Sequence, residues 1–522
     1  MEIPHIPIGE LPPCPVADDA LIGIPRQQTN PSRWNGEYWT TFVAEIEKKQ
    51  IDLRLDRGCR GVYQTDAGGL AVGMPHGVVF AKNAEQISDL LRLAQQYKVP
   101  VTTRGGGLTT EGESVAFGGV LLDMTGMKRV LHVDKEKLTV RTQTGIFWHR
   151  LAEVLRKQGM DYLSAPLNLT SSVGGTIGVG GIDVNSCKYG CSADQVVSMQ
   201  VVTPTGEIVE CSDDKNPELF QRVILGYGQF GVITEATLKI RPYTAMRMHY
   251  FYYRSLRGAI NDLQMLDGAA ACDYSGILTM MDKAITLLVG FDSAEREQAF
   301  FVQQRKRISG FSEFGFAVRL AAYYTFRPWR YKELLFLLRR KRELFPDLQP
   351  PQHMFNGELQ DRTAVFSRAV WKHWGHKHMV IPDLATNSEK FIEAVERGNA
   401  VCKKYFPYYT LYCVGIKLRE DHKAHYELSS IPPDATGISY GCEFEPMLED
   451  PELSGDYSRD YLQSFKNDIY DIGVELKTSY YRFGGMMKGY IRRALGNAVV
   501  DKHLAMKREA DPAMILNRDV IF

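Results

Sequence analysis

The chain has 522 residues, which is enough for two or three domains with cores of their own. Its 62 acidic and 62 basic residues balance, so the overall charge favours no polyanionic partner. The nine cysteines include no CxxC pair, and no stretch of about 18 apolar residues occurs. We therefore expect reduced thiols, a cytoplasmic protein, and neither a membrane nor a nucleic acid among its partners.

A β-α-β unit follows a proline-rich stretch of 36 residues that predicts an extended arm. Gly77–Ala81 predicts a strand, Asn83 with Gln86 three residues later predicts a capped helix, and Val99–Thr103 predicts the next strand. Ligands gather at the carboxyl ends of such strands, so the loop after Thr103 is a candidate binding site.

That loop lies within Thr102–Gly119, TTRGGGLTTEGESVAFGG, and carries three successive glycines. The backbone N–H groups of Gly105, Gly106 and Gly107 can converge on an anion such as a diphosphate, because no side chain blocks the approach. The hydroxyl of Thr109 adds a further donor. A tight turn of flexible glycines explains the same residues equally well.

A second glycine-rich stretch, Ser171–Ile182, has seven small residues in twelve and suits a backbone lying against a flat ligand. Steric packing of a loop is the alternative. The later segment Gly226–Gly231, GYGQFG, matches the dinucleotide fingerprint, which needs a strand before it and a helix after it. A predicted helix, Pro217–Leu225, precedes it and a predicted strand, Val232–Arg241, follows it. This order excludes a nicotinamide-binding Rossmann unit.

The composition changes from about Thr244 onwards, where aromatic residues cluster. Predicted strands such as Ile285–Phe291 and Tyr409–Ile416 alternate with predicted helices such as Asn387–Lys404. The pattern indicates a second α+β domain, whose aromatic side chains fill a core and in part line an apolar cavity for a flat substrate.

Four segments resemble, in the same order, those of FAD-binding oxidoreductases of the vanillyl-alcohol oxidase and p-cresol methylhydroxylase superfamily, above all the cytokinin dehydrogenases. Arg104–Gly107 resembles the RGxG of the flavin-diphosphate loop, and Ser172–Ile182 resembles the VGGT-plus-GI segment along the flavin. Leu225–Pro242 resembles the closing helix–glycine–strand segment, and Asp511–Phe522 resembles the terminal DPxGIMNPGKIF segment.

The resemblance implies an α+β fold, with a two-subdomain PCMH-type FAD-binding domain built from both chain ends and an α+β substrate (cap) domain. We expect an arm and helix over residues 1–60, the FAD-binding domain over 61–243, the cap over 244–476 and a return over 477–522. The cofactor-binding residues that the resemblance implies are Arg104, Gly105, Gly106, Gly107, Leu108, Thr109, Ser172, Gly174, Gly175, Gly178, Ile182, Val232 and Asn517.

Four positions depart from the family pattern. Leu108 stands where many members have a histidine linked to the flavin, and Thr170 stands where others have a linking cysteine. We therefore expect FAD to be bound non-covalently. Leu167 replaces the catalytic aspartate of cytokinin dehydrogenases, and Asp273–Gly276 replaces the segment with their cap glutamate. Because leucine and serine are not general bases at neutral pH, either the chemistry differs from the usual oxidation of cytokinins or another base replaces the pair.

Three residues are candidate catalytic bases. Tyr480 and Tyr481 lie where the family has a tyrosine near the flavin, and a phenolate is a usable base if its pKa is lowered. A buried aromatic that donates one hydrogen bond is the equal alternative. Asp183 follows the Gly-Gly-Ile segment and either approaches the flavin or, as we favour, caps the next turn. Glu443 and Glu445 share one strand face; either one of them faces the cavity or, as we favour, the face is exposed to solvent.

Two clusters, one of histidines and one of basic residues, are explained without a bound ligand. His373, His376 and His378 resemble a metal site, but only two of them share a strand face and structural zinc takes four ligands, so we expect no metal. The basic run Arg339–Arg342 ends a predicted helix, where cations suit the helix dipole.

Two classes of function remain. The first is an FAD-dependent oxidoreductase that takes a hydride from a C–H next to N or O of a small, aromatic or apolar, amine or alcohol. Oxygen or another acceptor would then reoxidise the flavin. The alternative is a repurposed scaffold that uses FAD structurally or in a non-redox cyclisation or elimination. Bleaching of the flavin by bound substrate distinguishes the two.

Overall fold

Three β-sheets organise the protein, and the first two adjoin the third around one cavity. The computed structural model describes residues 36, 38–244, 246–281, 284–311, 313–339, 380–417, 437–446, 457–482, 484, 487–518 and 520.

The first sheet has a parallel centre. Its part of the chain contains α1 (Trp39–Lys48), β1 (Leu53–Arg54), α2 (Arg57–Val62), β2 (Gly77–Phe80), α3 (Ala84–Tyr97), β3 (Val101–Arg104) and β4 (Val120–Asp123). Strands β2 and β3 both run parallel to β4, which lies between them, and β1 pairs antiparallel with β2. Asn83 caps α3 as predicted, since its side-chain oxygen accepts the backbone N–H of Gln86 at 2.9 Å. The glycine loop leaves the carboxyl end of β3, as the β-α-β pattern predicts.

The second sheet is antiparallel. It includes β5 (Val130–Asp134), β6 (Thr139–Gln143), α4 (Trp148–Arg156), β7 (Met160–Tyr162), α5 (Val173–Val179), α6 (Ser186–Tyr189), β8 (Val196–Val202), β9 (Ile208–Ser212), α7 (Pro217–Val223) and β10 (Val232–Pro242). The strand order is β5-β6-β10-β8-β9, with β7 also paired to β10. Because α7 precedes GYGQFG and β10 follows it, the exclusion of a Rossmann unit is confirmed. Within the second glycine-rich stretch, residues Val173–Val179 form a helix, α5, which the sequence did not indicate.

The third sheet is antiparallel throughout. Its elements are β11 (Arg247–Tyr253), α8 (Leu256–Gly268), β12 (Tyr274–Met280), β13 (Ala284–Phe291), α9 (Ala294–Gln303), α10 (Glu313–Thr325), α11 (Tyr331–Arg339), β14 (Asp383–Thr386), α12 (Ser388–Tyr405), β15 (Tyr409–Lys417), β16 (Ile438–Pro446) and α13 (Arg459–Leu476). The strand order is β11-β13-β12-β15-β16-β14. Helices α8 and α12 pack against one face, and side chains of the other face line the cavity.

The end of the chain returns to the first sheet through α14 (Lys488–Leu495) and α15 (Asn497–Ala510). Leu516 bridges in parallel to Val101 of β3. The ammonium of Lys507 is buried, pairs with Asp511 at 2.6 Å and donates to the backbone carbonyls of Gln229 and Leu516. The α+β fold with an FAD-type domain built from distant parts of the chain is thus confirmed.

The predicted cluster of histidines at 373, 376 and 378 lies outside the described residues, and so does the basic run beyond Arg339. Within the described ranges, no three His, Cys, Asp or Glu side chains are grouped as metal ligands would be. No described helix combines the length and the apolar character needed to cross a bilayer.

Candidate functional site

A cavity of about 410 Å3 lies between the glycine loop and the third sheet. Its walls come from the loop after β3, from α5, from the start of β10 and from β12, β13, β15 and β16. All thirteen residues that the resemblance implied as cofactor contacts line it. Residues from distant parts of the sequence therefore converge on one site.

The glycine loop presents unused hydrogen-bond donors to this cavity. Within the described part of the chain, no hydrogen bond uses the backbone N–H groups of Gly105, Gly106 or Gly107. Beneath the loop, the guanidinium of Arg104 donates to the carbonyls of Thr65 at 2.9 Å and Ser114 at 3.3 Å. Arg104 thus fixes the loop, while three N–H groups remain for an anion.

Thr109, which the sequence suggested as a hydroxyl donor for a ligand, has a different role in the structure. The hydroxyl of Thr109 donates to the buried carboxylate of Asp66 at 2.9 Å and lies 2.7 Å from the hydroxyl of Ser114. Its one proton is therefore committed to the protein, and Thr109 is not a free hydroxyl donor for a ligand. The Asp66 contact instead holds the shape of the loop, because Asp66 also accepts the backbone N–H of Gly112 at 2.9 Å.

Helix α5 brings a second glycine-rich backbone to the cavity. Ser172 caps it by accepting the backbone N–H of Gly175 at 3.3 Å. Gly178 has room beside it, since a Cβ added there would meet nothing closer than the backbone nitrogen of Gly228 at 3.9 Å. A flat ligand can therefore approach this helix closely.

Asn517 lines the cavity but acts mainly as a brace. Its side-chain oxygen accepts the backbone N–H of Thr103 at 2.8 Å, and its amide donates to the carbonyl of Tyr227 at 3.1 Å. The end of the chain thereby fixes the position of β3 relative to the turn before β10.

The opposite wall is one face of the third sheet. Leu278, Met280 and Leu288 make it apolar, whereas Glu443 and Glu445 add carboxylates. The expectation that these two glutamates face solvent is wrong, because β16 turns their shared face towards the cavity; the Glu443 side chain is only 19% exposed.

A buried arginine lies at this wall, and the sequence did not single it out. Arg482 bonds Asp383 at 3.2 Å and Glu443 at 2.5 Å. Burial disfavours its charge, but the two carboxylates outweigh burial and raise the pKa of Arg482. The arginine therefore stays cationic with both neighbours already paired to it.

The two tyrosine candidates differ in position. Tyr481 lines the cavity, and its hydroxyl accepts the backbone N–H of Gly181 at 2.6 Å. Burial raises its pKa, so the lowered value that a phenolate base needs is not met. Tyr480 is not among the cavity-lining residues, because its hydroxyl points away and donates to the carbonyl of Tyr470 at 2.6 Å.

Asp183 reaches the cavity only through another residue. It is buried behind Tyr412 of β15, whose hydroxyl donates to its Oδ1 at 3.2 Å. The same oxygen accepts the backbone N–H of the adjacent Val184 at 2.7 Å. The favoured role as a cap of the next turn is wrong, because the following helix α6 has Asn185 at its N-cap and no side-chain cap. Burial raises the pKa of Asp183 to about 6. Tyr412 itself lines the cavity, so the pair forms a hydrogen-bonded path from the cavity to a carboxylate.

Glu113 is a second residue that the sequence did not single out. One carboxyl oxygen, Oε2, accepts the backbone N–H of Glu111 at 2.8 Å, whereas Oε1 has no partner among the described residues. Burial, reinforced by the charges of Asp66 and Glu111, raises its pKa to about 8. A neutral carboxyl group thus lines the cavity beside the glycine loop at pH 7.

Comparisons with known proteins agree with this geometry. The family described as FAD binding domain matches residues 75–212. Cytokinin dehydrogenase 3 of Arabidopsis thaliana is 33% identical over 231 residues, 43% of each chain. D-lactate dehydrogenase of Anaerostipes hadrus is 34% identical over 174 residues, 32% of this chain and 37% of that protein. The matches thus span less than half of these relatives' lengths.

A solved alkyldihydroxyacetonephosphate synthase has the same fold, with a TM-score of 0.62 over 93% of this chain and 86% of that one, at 16% identity. The fold therefore extends beyond the matched segment to both walls of the cavity. Residues 75–212 contain the glycine loop, whose backbone N–H groups are unused, and α5, which leaves room for a flat ligand. The chain is therefore a flavoprotein with this FAD binding domain, and FAD is its cofactor.

Proposed function

We propose that the protein is an FAD-dependent oxidoreductase that takes a hydride from a C–H next to N or O of a small, aromatic or apolar, amine or alcohol. The observation that carries the proposal is the Tyr412–Asp183 pair, which joins the cavity to a buried carboxylate. Both relatives described above are named dehydrogenases.

The residues present fit FAD. The N–H groups of Gly105, Gly106 and Gly107 would hold the diphosphate, because they line the cavity and carry no other bond. Gly178 and Ile182 would lie along the flavin ring system, where α5 allows close approach. When bound, FAD supplies the acceptor for one hydride, that is, for two electrons and one proton.

We assign proton removal to Tyr412 acting with Asp183. A substrate O–H or N–H would donate to the hydroxyl oxygen of Tyr412. As that proton moves to Tyr412, the tyrosine's own proton moves to Oδ1 of Asp183, 3.2 Å away. The pKa of Asp183, about 6, leaves it ionised and able to accept at neutral pH. Tyr481, with its raised pKa, would serve as a hydrogen-bond donor to the bound ligand rather than as a base.

The cap wall favours an uncharged or cationic substrate over a hydroxy acid. Leu278, Met280 and Leu288 offer apolar contact, and Arg482 already pairs with both Asp383 and Glu443. A substrate carboxylate would have to displace one of these partners, which costs free energy in a buried site. We also propose that residues 244–476 act as the substrate domain over residues 61–243 and 477–522.

Acid precipitation of the purified holoprotein should release FAD into the supernatant. Leu108 has no nucleophile, and in place of a linking cysteine stands Thr170, whose hydroxyl donates to the side-chain oxygen of Asn168 at 2.7 Å. Absorbance of the supernatant and pellet measures the result. Flavin absorbance that stays with the pellet would contradict non-covalent binding.

FAD affinity should fall above pH 8, by at most about tenfold per pH unit, because Glu113 then ionises beside the diphosphate site. Below pH 8 its neutral form exerts no such repulsion. Titration of apoprotein by quenching of FAD fluorescence measures the affinity. Glu113→Gln should flatten the alkaline fall, whereas Glu136→Gln, at an exposed site, should leave it unchanged. An unaltered fall in Glu113→Gln would refute this assignment.

The alternative, a scaffold that uses FAD without net redox chemistry, draws support from the 16% identical synthase that shares the fold. Anaerobic mixing of the holoprotein with panels of amines, alcohols and 2-hydroxy acids separates the two. Bleaching of the flavin by an amine or alcohol is the expected result. Bleaching by hydroxy acids alone would overturn the substrate class, and the absence of bleaching across all panels would favour the alternative.

A further inference from the structure

Three aromatic side chains are strongly exposed where α10 gives way to α11. Phe326 is 75% exposed, Trp329 is 73% exposed and Tyr331 is 57% exposed. They are the most exposed aromatic side chains in the described ranges, and they lie within six consecutive residues. Large apolar surface concentrated in this way marks a docking site on a folded protein.

Basic residues alternate with these aromatics. Arg327, Arg330 and Lys332 fall between or beside them, and residues 314–332 include four cations and no aspartate or glutamate. Arg330 pairs with Glu333, whereas Arg327 stacks over the ring of Tyr323 at 4.3 Å. Since the whole chain has no net charge, this positive charge is local to the segment.

The exposed apolar surface continues onto α10. Val318 is 53% exposed, and Ala321, Ala322 and Thr325, which lie three, four and seven residues after it, are also exposed. This spacing places the four side chains on one side of the helix, with no acidic residue among them. We call residues 318–332 the aromatic segment.

We propose that the aromatic segment docks the protein on the surface of an anionic phospholipid bilayer. Tryptophan, phenylalanine and tyrosine favour the boundary between headgroups and acyl chains. Arginine and lysine beside them are attracted to the lipid phosphates. The alternation of cations with exposed aromatics matches that surface in both charge and polarity. Peripheral docking of this kind needs no membrane-spanning helix. The lack of a long apolar stretch in the sequence therefore does not exclude a membrane partner, contrary to our expectation from the sequence.

The test is sedimentation of the full-length holoprotein with vesicles. The protein should sediment with vesicles of mixed phosphatidylcholine and phosphatidylglycerol, less with phosphatidylcholine alone, and high salt should release it. The double variant Phe326→Ser, Trp329→Ser should partition at least about tenfold more weakly. Val302→Ser, at a 72% exposed valine outside the segment, is the matched control and should bind normally.

Each of the following outcomes would contradict docking on a membrane. Failure to sediment with anionic vesicles at low salt would overturn it, as would equal binding by the double variant. Concentration-dependent self-association that the double variant abolishes, without vesicle binding, would assign the segment to contact between two copies of the chain. Because all replaced side chains are exposed, circular dichroism and FAD content should match the wild type. The test is independent of the proposed oxidoreductase activity.

Discussion

Replacement of Gly105 by alanine is expected to weaken FAD binding by at least about 100-fold, equivalent to about 2.7 kcal/mol. A Cβ at this position would lie 1.9 Å from the hydroxyl oxygen of Ser172 and 2.9 Å from its Cβ. The loop must therefore move away from α5, and its unused N–H groups lose their common direction. Loss of one or two hydrogen bonds to a charged group, about 1.5–3 kcal/mol each, accounts for the effect.

Fluorescence titration of the apoprotein with FAD measures this effect. Gly61→Ala is the matched control, because a Cβ at Gly61 of α2 would meet nothing within 4 Å. It should bind FAD normally and, as a glycine-to-alanine change in a helix, should not destabilise the fold. A Gly105→Ala protein that binds FAD as tightly as the wild type would contradict the role assigned to the loop.

Replacement of Tyr412 by phenylalanine should slow anaerobic flavin bleaching by about 100- to 1000-fold, within the range that general acid–base groups contribute. The change keeps the ring that packs in the cavity wall but removes the hydroxyl that joins it to Asp183. FAD content and substrate affinity should change little, because the loss falls on proton transfer. Stopped-flow absorbance with a substrate found in the amine and alcohol panels measures the rate.

A neighbouring tyrosine provides the control. Tyr409 lies on the same strand, but its hydroxyl donates to Asn399 at 2.8 Å and it does not line the cavity. Tyr409→Phe should therefore bleach at close to the wild-type rate. If Tyr412→Phe is also close to wild type, proton removal does not pass through Tyr412.

The pH profile separates the two members of the pair. Asp183 accepts a proton only when ionised, so the wild-type rate should fall as the pH drops below its pKa of about 6. Asp183→Asn should be slow at every pH and should lack this acid limb. An unchanged limb in Asp183→Asn would assign it to another group.

Local sequence signals predicted much of the fold. Helical and strand periodicity located β2, α3 and β3, and Asn83 marked the start of α3, because these features depend on neighbours a few residues apart. The three glycines also predicted the anion-binding loop, since a ligand can approach the backbone closely only where side chains are absent. The second glycine-rich stretch was predicted to lie against a flat ligand, with no helix indicated. Its low helix propensity gave no sign of α5, which packing and the Ser172 cap stabilise.

The cavity wall formed by the third sheet was less predictable, because its contacts join distant residues. Tyr412 and Asp183 are 229 positions apart, and nothing in the sequence distinguishes Tyr412 from Tyr409. Alternation correctly placed Glu443 and Glu445 on one strand face. Which face is covered depends on how the third sheet lies over the FAD-binding domain, and that is not encoded within β16 itself. Asp183 was expected to cap the next turn, whereas its carboxylate is bonded to Tyr412, a partner that the sequence did not indicate.

The absorbance spectrum of the purified apoprotein during titration with FAD shows whether the cavity binds FAD, on which the proposed function depends. We expect equimolar uptake with a protein-bound flavin spectrum, and binding weakened at least about 100-fold in Gly105→Ala but not in Gly61→Ala. A protein that stays colourless and takes up no FAD would contradict the assignment of the cavity, and with it the oxidoreductase function proposed for this chain.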